Sequence, residues 1–250
     1  GLWESILLRF LGRFSIINTV HDPVKHIDNR TFLNNLTMRD MIKKSSGLIV
    51  HSEGLKNLLL KHNDFDPERI FINAHGIFDY YRSFETNKKE RTKSILCFGN
   101  LRLNKGVDLL MKAFASVKNQ LPEWTLVIAG KGSSATSKSM VAKIKAKVVG
   151  RTGIPEELLI KYKNILGTQL DIYNRFIEDD EVGAFFSTAG MVALAYRHGS
   201  QSGVLAIAAA FECPVLATTV GAIPEMLDNE KNAMLGHSRS VTDLADVIGK

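Results

Sequence analysis

The sequence predicts a doubly wound α/β fold built in two successive parts, and three observations predict it. Short apolar runs alternate with amphipathic ones along the chain, the pattern of strands alternating with helices. Several of the apolar runs (ILCFG, TLVIAG, MVALAY, PVLAT) show no polar alternation, as strands of a parallel sheet covered by helices on both faces require. One polar run, Ser83–Lys93, breaks the series with seven charged or amide side chains, a linker composition. The reading is a first domain over 1–85, a linker over 86–92 and a second domain over 93–250.

In the first part, Ser15–Thr19 reads as a strand, Thr37–Lys44 as a helix and Gly47–His51 as a strand. Ser52 then reads as the N-cap of helix Glu53–Lys61, because its hydroxyl can take an otherwise unpaired amide. Ile70–Asn73 reads as a short strand. In the second part the expected series is strand Ser94–Gly99, helix Gly106–Asn119, strand Thr125–Ala129 and a basic helix near Met140–Val148. It continues with a helix near Pro155–Tyr162, strand Asp171–Asn174, helix Asp179–Ser187, strand Met191–Ala195 and helix Ser202–Phe211. Strand Val215–Thr218, a short helix from Ile223 and a last helix Val241–Ile248 complete it.

Composition excludes several classes. Over 250 residues, 45% hydrophobic and 23% charged side chains rule out wholesale disorder. The longest uninterrupted apolar run, Val204–Phe211, is far short of the roughly 20 residues a membrane span needs. The chain starts at Gly1 with an amphipathic stretch, Leu2–Phe14, and no small-residue cleavage site, so no signal peptide is read and the chain reads as beginning mid-protein. That stretch carries Arg9 and Arg13 and suits either a packed helix or a peripheral membrane contact. Cys97 and Cys213 sit in or beside apolar runs and read as buried thiols of a reducing compartment. The net charge is +6; from Lys131 to Arg151 six basic residues occur without an acid, reading as a solvated helix face. No aromatic-interleaved basic stripe accompanies them, so nucleic acid is not an expected partner.

Ligands of doubly wound sheets sit at the carboxyl ends of the strands, where glycine turns and helix N-termini present free amides to anions. Four turns fit. Phe98–Leu110 (FGNLRLNKGVDLL) brings Gly99, Asn100, Arg102 and Lys105 to a helix start: either a phosphate cradle or an ordinary strand–helix turn, for it lacks both GxGxxG and GxxxxGK[ST]. Ala129–Gly132 (AGKG) is a weaker case. His198–Val204 (HGSQSGV) exposes the amides of Gln201, Ser202, Gly203 and Val204 at the head of a helix, an anion nest, or else Ser202 is only a cap. Thr218–Glu225 (TTVGAIPE) is the fourth. Four such turns on one sheet edge argue for a phosphorylated ligand better than any one does.

The order of these pieces resembles glycosyltransferase family 4, retaining nucleotide-sugar enzymes of GT-B fold with two Rossmann-like domains. The resemblance runs through NTVHDPVKH, GLIVHSEGLKNLL and INAHGIFDYY, then CFGNLRLNKGVDLLMKAF, WTLVIAGKG, NRFIEDDEVGAFFSTAGMVALAYR and SQSGVLAIAAAFECPVLATTVGAIPE. It implies transfer of a sugar from a nucleotide-sugar donor to a saccharide or lipid-linked acceptor, with retention, in polysaccharide or glycoconjugate synthesis. The implied location is the cytoplasm, at the inner face of the membrane where an acceptor is lipid-linked. Lys105 matches the lysine that neutralises the donor diphosphate, with Gly99, Asn100 and Arg102 beside it, Arg102 replacing the arginine usual at position 100. The Gln201–Val204 amides match the phosphate loop, Gly130 and Ile177 the nucleotide contacts, and His21 of the HDP motif the histidine beside the donor sugar. Asp22, His75, His198 and Glu225 are further site candidates.

The resemblance also implies no cofactor and no metal. Asp64-Phe65-Asp66 spells a DxD but lies in a loop away from the phosphate turns, and His21 with His26 lacks a third ligand. Glu178–Glu181 reads as helix-start capping. Besides Asn100, the sequence departs from the family at three places. The two glutamates usual around the third turn fall on Gly199 and Ile207, and Glu212 stands where glycine is usual before Pro214. A larger first domain and C-terminal helices returning to it are expected of the full enzyme. Two rival readings stay open: a nucleotide-sugar epimerase of the same architecture, and a non-catalytic donor-binding protein.

Overall fold

The computed structural model describes residues 14–21, 39–84, 90–132, 153–199, 201–236 and 240–250. The chain divides into two units, Gly1–His75 and Gly76–Lys250. In the first, strands β1 (Ile17–Thr19), β2 (Gly47–Val50) and β3 (Ile70–Ile72) pair in parallel in that order. Of the expected helix Thr37–Lys44, residues 39–44 are helical and the first two lie outside the described residues. Helix α1 (Glu53–His62) starts as expected: the Ser52 hydroxyl accepts the Leu55 amide at 3.1 Å. Ile42, Leu48, Val50, Leu55, Leu59 and Ile70 form the buried core of this unit. Asp66 of the DxD caps the 3-10 turn Pro67–Arg69, accepting the Glu68 amide. Phe65 lies beneath the Arg69 guanidinium, which donates to the Ser45 and Ser46 carbonyls.

The second unit carries a six-stranded, all-parallel sheet: β4 (Ser94–Phe98), β5 (Thr125–Ala129), β6 (Leu170–Tyr173), β7 (Met191–Leu194), β8 (Val215–Thr218) and β9 (Ala233–Gly236). Their order across the sheet is β6-β5-β4-β7-β8-β9, so the chain winds outward from β4 to one edge, returns to β7 beside it, and winds to the other edge. Helices α2 (Val107–Val117), α3 (Glu156–Leu166) and α7 (Val241–Ile248) pack on one face. There Leu110, Phe114, Leu159 and Leu244 join Leu126 and Ile128. Helices α4 (Asp179–Thr188) and α5 (Gly203–Ala210) cover the other face, placing Phe186, Leu205 and Ala208 against Leu96 and Val192. The short α6 (Ile223–Met226) follows β8.

Most elements fall where expected, and the differences have local causes. β9 is not anticipated: it is a four-residue strand after a polar turn, too short for periodicity to show. β6 begins one residue earlier than expected, because Leu170 is the fully buried member of an edge strand whose remaining residues alternate. The basic helix expected near Met140–Val148 lies outside the described residues. The division into units falls after His75, earlier than the boundary expected after residue 85. The 3-10 segment Asp79–Phe84 packs on α4 and α5, and the Phe78 amide donates to the Ala206 carbonyl at 3.1 Å. Arg91, expected within the linker, donates to the carbonyls of Phe186, Ala189, Phe211 and Glu212, holding the ends of α4 and α5. Glu212 has φ +52°, the left-handed conformation that a glycine at this position would adopt without strain.

Candidate functional site

β4 and β7 are neighbours from which the chain departs in opposite directions, so their carboxyl ends bound the crevice of this sheet. The turn after β4 is held open by backbone conformation. Gly99 has φ +105° and Gly130, in the turn after β5, has φ +145°; a Cβ on Gly130 would sit 1.8 Å from the Gly99 carbonyl oxygen. Gly130 is thus required by the close approach of two turns, a structural demand beside the nucleotide contact expected of it. Asn100 is exposed and Arg102 half-buried, with the Arg102 backbone bridged to Gly153.

From there the chain turns through Leu103–Lys105 into α2 by way of Gly106 at φ +65°, where a Cβ would meet the Ala195 carbonyl oxygen at 1.6 Å. The turn after β7 grips the same loop. Arg197 makes a two-pronged ion pair with Asp108 of α2 at 2.6 and 2.7 Å and also donates to the Leu103 carbonyl at 2.6 Å. Its backbone amide donates to the Asn104 carbonyl at 2.9 Å. The two turns that flank the crevice are therefore one braced structure.

Lys105 and the head of α5 meet on a tyrosine. The Lys105 ammonium lies 3.7 Å from the centroid of the Tyr196 ring. The Tyr196 hydroxyl lies 2.9 Å from the Ser202 hydroxyl, which also caps α5 by accepting the Leu205 amide at 3.3 Å. Burial pushes the Tyr196 phenol up, so it stays a neutral hydrogen-bonding group. Burial likewise raises the Cys97 thiol, on β4, to about 12, with the Lys105 charge opposing. Both cysteines are buried thiols. Among the described residues, the side-chain atoms buried without a hydrogen-bond partner are Asn104 Oδ1 and Gln201 Nε2, one on each of the two turns.

The structure thus brings together Gly99, Lys105 and the Gln201–Val204 loop: a Cβ on Gly99 would touch the Val204 side chain at 3.5 Å. His198 is exposed beside this loop, its amide at the limit of a bond to the Asn104 carbonyl. Ile177 is buried, with its side chain in the core beneath α4. Glu225 is exposed on α6. Glu178 and Glu181 form a reciprocal cap on α4, and Glu181 is paired with Arg175 at 2.6 and 2.5 Å. At the two positions where the family's glutamates are expected, Gly199 offers no side chain and Ile207 is buried in the core. Tyr196, Arg197, Asp108 and Asn104 were not legible as site residues. Tyr196 and Arg197 end an apolar strand, and nothing in their spacing shows that they reach across to the β4 turn.

In the first unit, His21 follows β1, His51 follows β2 and His75 follows β3, so all three stand at the carboxyl end of that sheet. The His21 and His51 ring centroids are 4.9 Å apart, and those of His51 and His75 are 5.4 Å apart. Asp22 and His26 lie outside the described residues.

The fold and the crevice define a class: an α/β domain whose braced glycine turns and capped helix N-terminus suit a phosphorylated ligand. Residues 92–250 match the family model "Glycosyl transferases group 1", and the chain belongs to that family. A curated relative, D-inositol 3-phosphate glycosyltransferase of Corynebacterium aurimucosum, is 24% identical over 99% of this chain and 58% of its own length. Among solved structures, sucrose-phosphate synthase from Thermosynechococcus elongatus aligns with a TM-score of 0.73 at 18% identity, over 98% of this chain and 60% of that one. Anabaena HepE in complex with UDP and glucose aligns with a TM-score of 0.69 at 16% identity, over 98% and 65%. A UDP-forming trehalose-phosphate synthase from Burkholderia xenovorans gives 0.71 at 13% identity, over 98% and 62%. The fold is GT-B, with Rossmann-like units. The chain spans less than two thirds of the length of each of these proteins. Among the described residues no helix is long and apolar enough to cross a membrane.

Proposed function

We propose that this chain is the donor-binding part of a family 4 glycosyltransferase that moves a sugar, with retention, from a nucleotide sugar to a saccharide or lipid-linked acceptor. In this reading the donor diphosphate lies between Lys105 and the head of α5. The observation that carries it is the convergence of Lys105 and the Ser202 cap on one buried tyrosine at the crevice of the second sheet. A cation and a row of helix-start amides, both fixed before the ligand arrives, stabilise a leaving diphosphate by electrostatics that need no metal or cofactor. Gln201 Nε2, a buried donor without an acceptor, is a further partner for a phosphate oxygen. Ile177 would meet the nucleotide base through its main chain, since its side chain is committed to the core. With Gly199 and Ile207 in place of two carboxylates, the ribose is held without the usual acidic grip. His21 is the residue assigned to the sugar, and the reaction belongs to polysaccharide or glycoconjugate synthesis in the cytoplasm, at the inner face of the membrane where the acceptor is lipid-linked.

The names of the relatives support sugar transfer, and HepE in complex with UDP and glucose supports a nucleotide-sugar donor. The test is calorimetric titration with a panel of nucleoside diphosphates and nucleotide sugars, comparing wild type with Lys105→Ala and Ser202→Pro. We expect saturable binding to one base, weakened about tenfold by Lys105→Ala, the loss of one charge-assisted contact. Ser202→Pro, checked for folding, should weaken it as well by removing an amide without changing charge. Binding that ignores both substitutions would sink the assignment.

A further inference from the structure

The histidines at the edge of the first sheet carry an inference about which nitrogen of His21 holds its proton. His51 Nδ1 lies 2.8 Å from the backbone carbonyl oxygen of Asn73. A carbonyl only accepts, so His51 Nδ1 carries the hydrogen. In the neutral ring, His51 Nε2 is then a bare lone pair, and it lies 3.2 Å from His21 Nδ1. A lone pair needs a donor opposite it, so His21 Nδ1 carries its hydrogen too. That leaves the lone pair of His21 on Nε2, the nitrogen turned away from His51. The reverse arrangement, with His21 protonated on Nε2, would set two lone pairs against each other at 3.2 Å. The chain of bonds starts from a backbone carbonyl, which cannot change protonation, so it fixes the tautomer of both rings in one sense.

We propose that His51 is a positioning residue that holds His21 in the Nδ1–H form, so that His21 presents a hydrogen-bond acceptor through Nε2. The structural part of this stands on the first unit alone; its use rests on the reading of His21 as the sugar's partner. There the polarity matters. A lone pair accepts from a sugar hydroxyl, whereas an N–H would need an acceptor opposite it. The ligand group expected at His21 is therefore a hydroxyl donor, not a phosphate or carboxylate oxygen.

The test is imidazole nitrogen NMR on the 15N-labelled chain at a pH where the rings are neutral, reading each ring's tautomer from its carbon-bound hydrogens. We expect His21 and His51 both in the Nδ1–H form, against the Nε2–H form that otherwise predominates for a histidine in water. His51→Gln, which offers an amide oxygen in place of Nε2, should leave His21 in the Nδ1–H form. His51→Leu should return it to Nε2–H, with His62 and His198 as unmoved references. His21 in the Nε2–H form in the wild type overturns the proposal, as does a His51→Leu spectrum in which His21 is unchanged. Where His51→Leu does not fold, the wild type and His51→Gln decide. In sugar transfer, kcat should fall at least about tenfold in His51→Leu and recover in His51→Gln. Equal losses in both would overturn the positioning role. Nucleoside diphosphate binding by the second unit is read separately, so loss of the donor assignment and loss of this one are distinguishable.

Discussion

At the scale of single residues, Tyr196 organises the candidate site. Its ring is the platform under Lys105, its hydroxyl reaches the Ser202 cap, and it is almost wholly buried. In the sequence it is only the aromatic end of MVALAY, and an aromatic residue closing an apolar strand reads as core, which it also is. Lys105 stood out only through the family resemblance, because its turn read by itself suits a phosphate cradle and an ordinary strand–helix turn equally. The two functions of Tyr196 can be separated. Tyr196→Phe keeps the platform and deletes the bond to Ser202, which retains its own capping bond; unfolding in denaturant should show a loss of about 1 kcal/mol. Tyr196→Leu removes the ring too and should lower diphosphate affinity where Tyr196→Phe does not, because the ammonium loses an attraction of roughly 0.5–2 kcal/mol that holds it in place.

At the scale of elements, helix starts were the most legible features, because a cap is a local chemical event. Ser52 and Ser202, both read as caps, each accept an amide of the helix they precede, and Ser240, not singled out in the sequence, does the same before α7. The acidic cluster before α4 likewise resolves into a reciprocal cap with an arginine behind it. Strand β9 was illegible because it is four residues long and follows a polar turn, and the braces of Arg91 and Arg197 because each depends on partners far along the chain. Helix α4 has a pH dependence whose sign follows from its cap. Arg175, and then the Glu178 amide, hold the Glu181 carboxyl down to about 2 from an ordinary 4.5. A carboxyl depressed in the folded state binds fewer protons there than when unfolded. Its contribution is therefore complete above the ordinary value and is lost as the pH falls through about 2. In acid titrations followed by α4 amide signals, Glu181→Gln should be less stable than wild type at pH 7 and should converge on it in strong acid. The difference should shrink in high salt, since Arg175 is about half exposed. A difference that persists unchanged to the lowest pH would mean that the Glu181–Arg175 pair does not stabilise α4.

At the scale of the whole molecule, the second unit is the classical order of a dinucleotide-type sheet, two three-strand halves wound outward from β4 and β7, and it holds every phosphate-site residue assigned above. What belongs to that unit is larger than the linker composition implied. The polar run 83–93 has the look of a tether, yet Arg91 within it ties the carboxyl ends of α4 and α5 through four carbonyls. Before it, Asp79–Phe84 lies on the same two helices, and Gly203, at the head of α5, faces the Phe78 ring with no room to spare: an added Cβ would approach it to 3.2 Å. Composition reports how a segment is solvated on average and is blind to one arginine that finds four acceptors. Two truncations separate these views. A chain of residues 76–250 keeps all of these contacts and should unfold cooperatively and bind nucleoside diphosphate as tightly as the full chain. A chain of residues 93–250 loses Arg91 and the Phe78–Phe84 segment together. Charge-assisted bonds are worth about 1.5–3 kcal/mol each and are not additive, so it should be less stable by at least about 3 kcal/mol. Arg91→Ala in the longer chain apportions that loss. If it reproduces most of it, the arginine is the fastener; if it costs little, the apolar contacts of Phe78 and the 79–84 segment hold α5 in place. Equal stability of the two truncated chains would show that residues 76–92 are a tether after all, with the second unit complete from β4 onward.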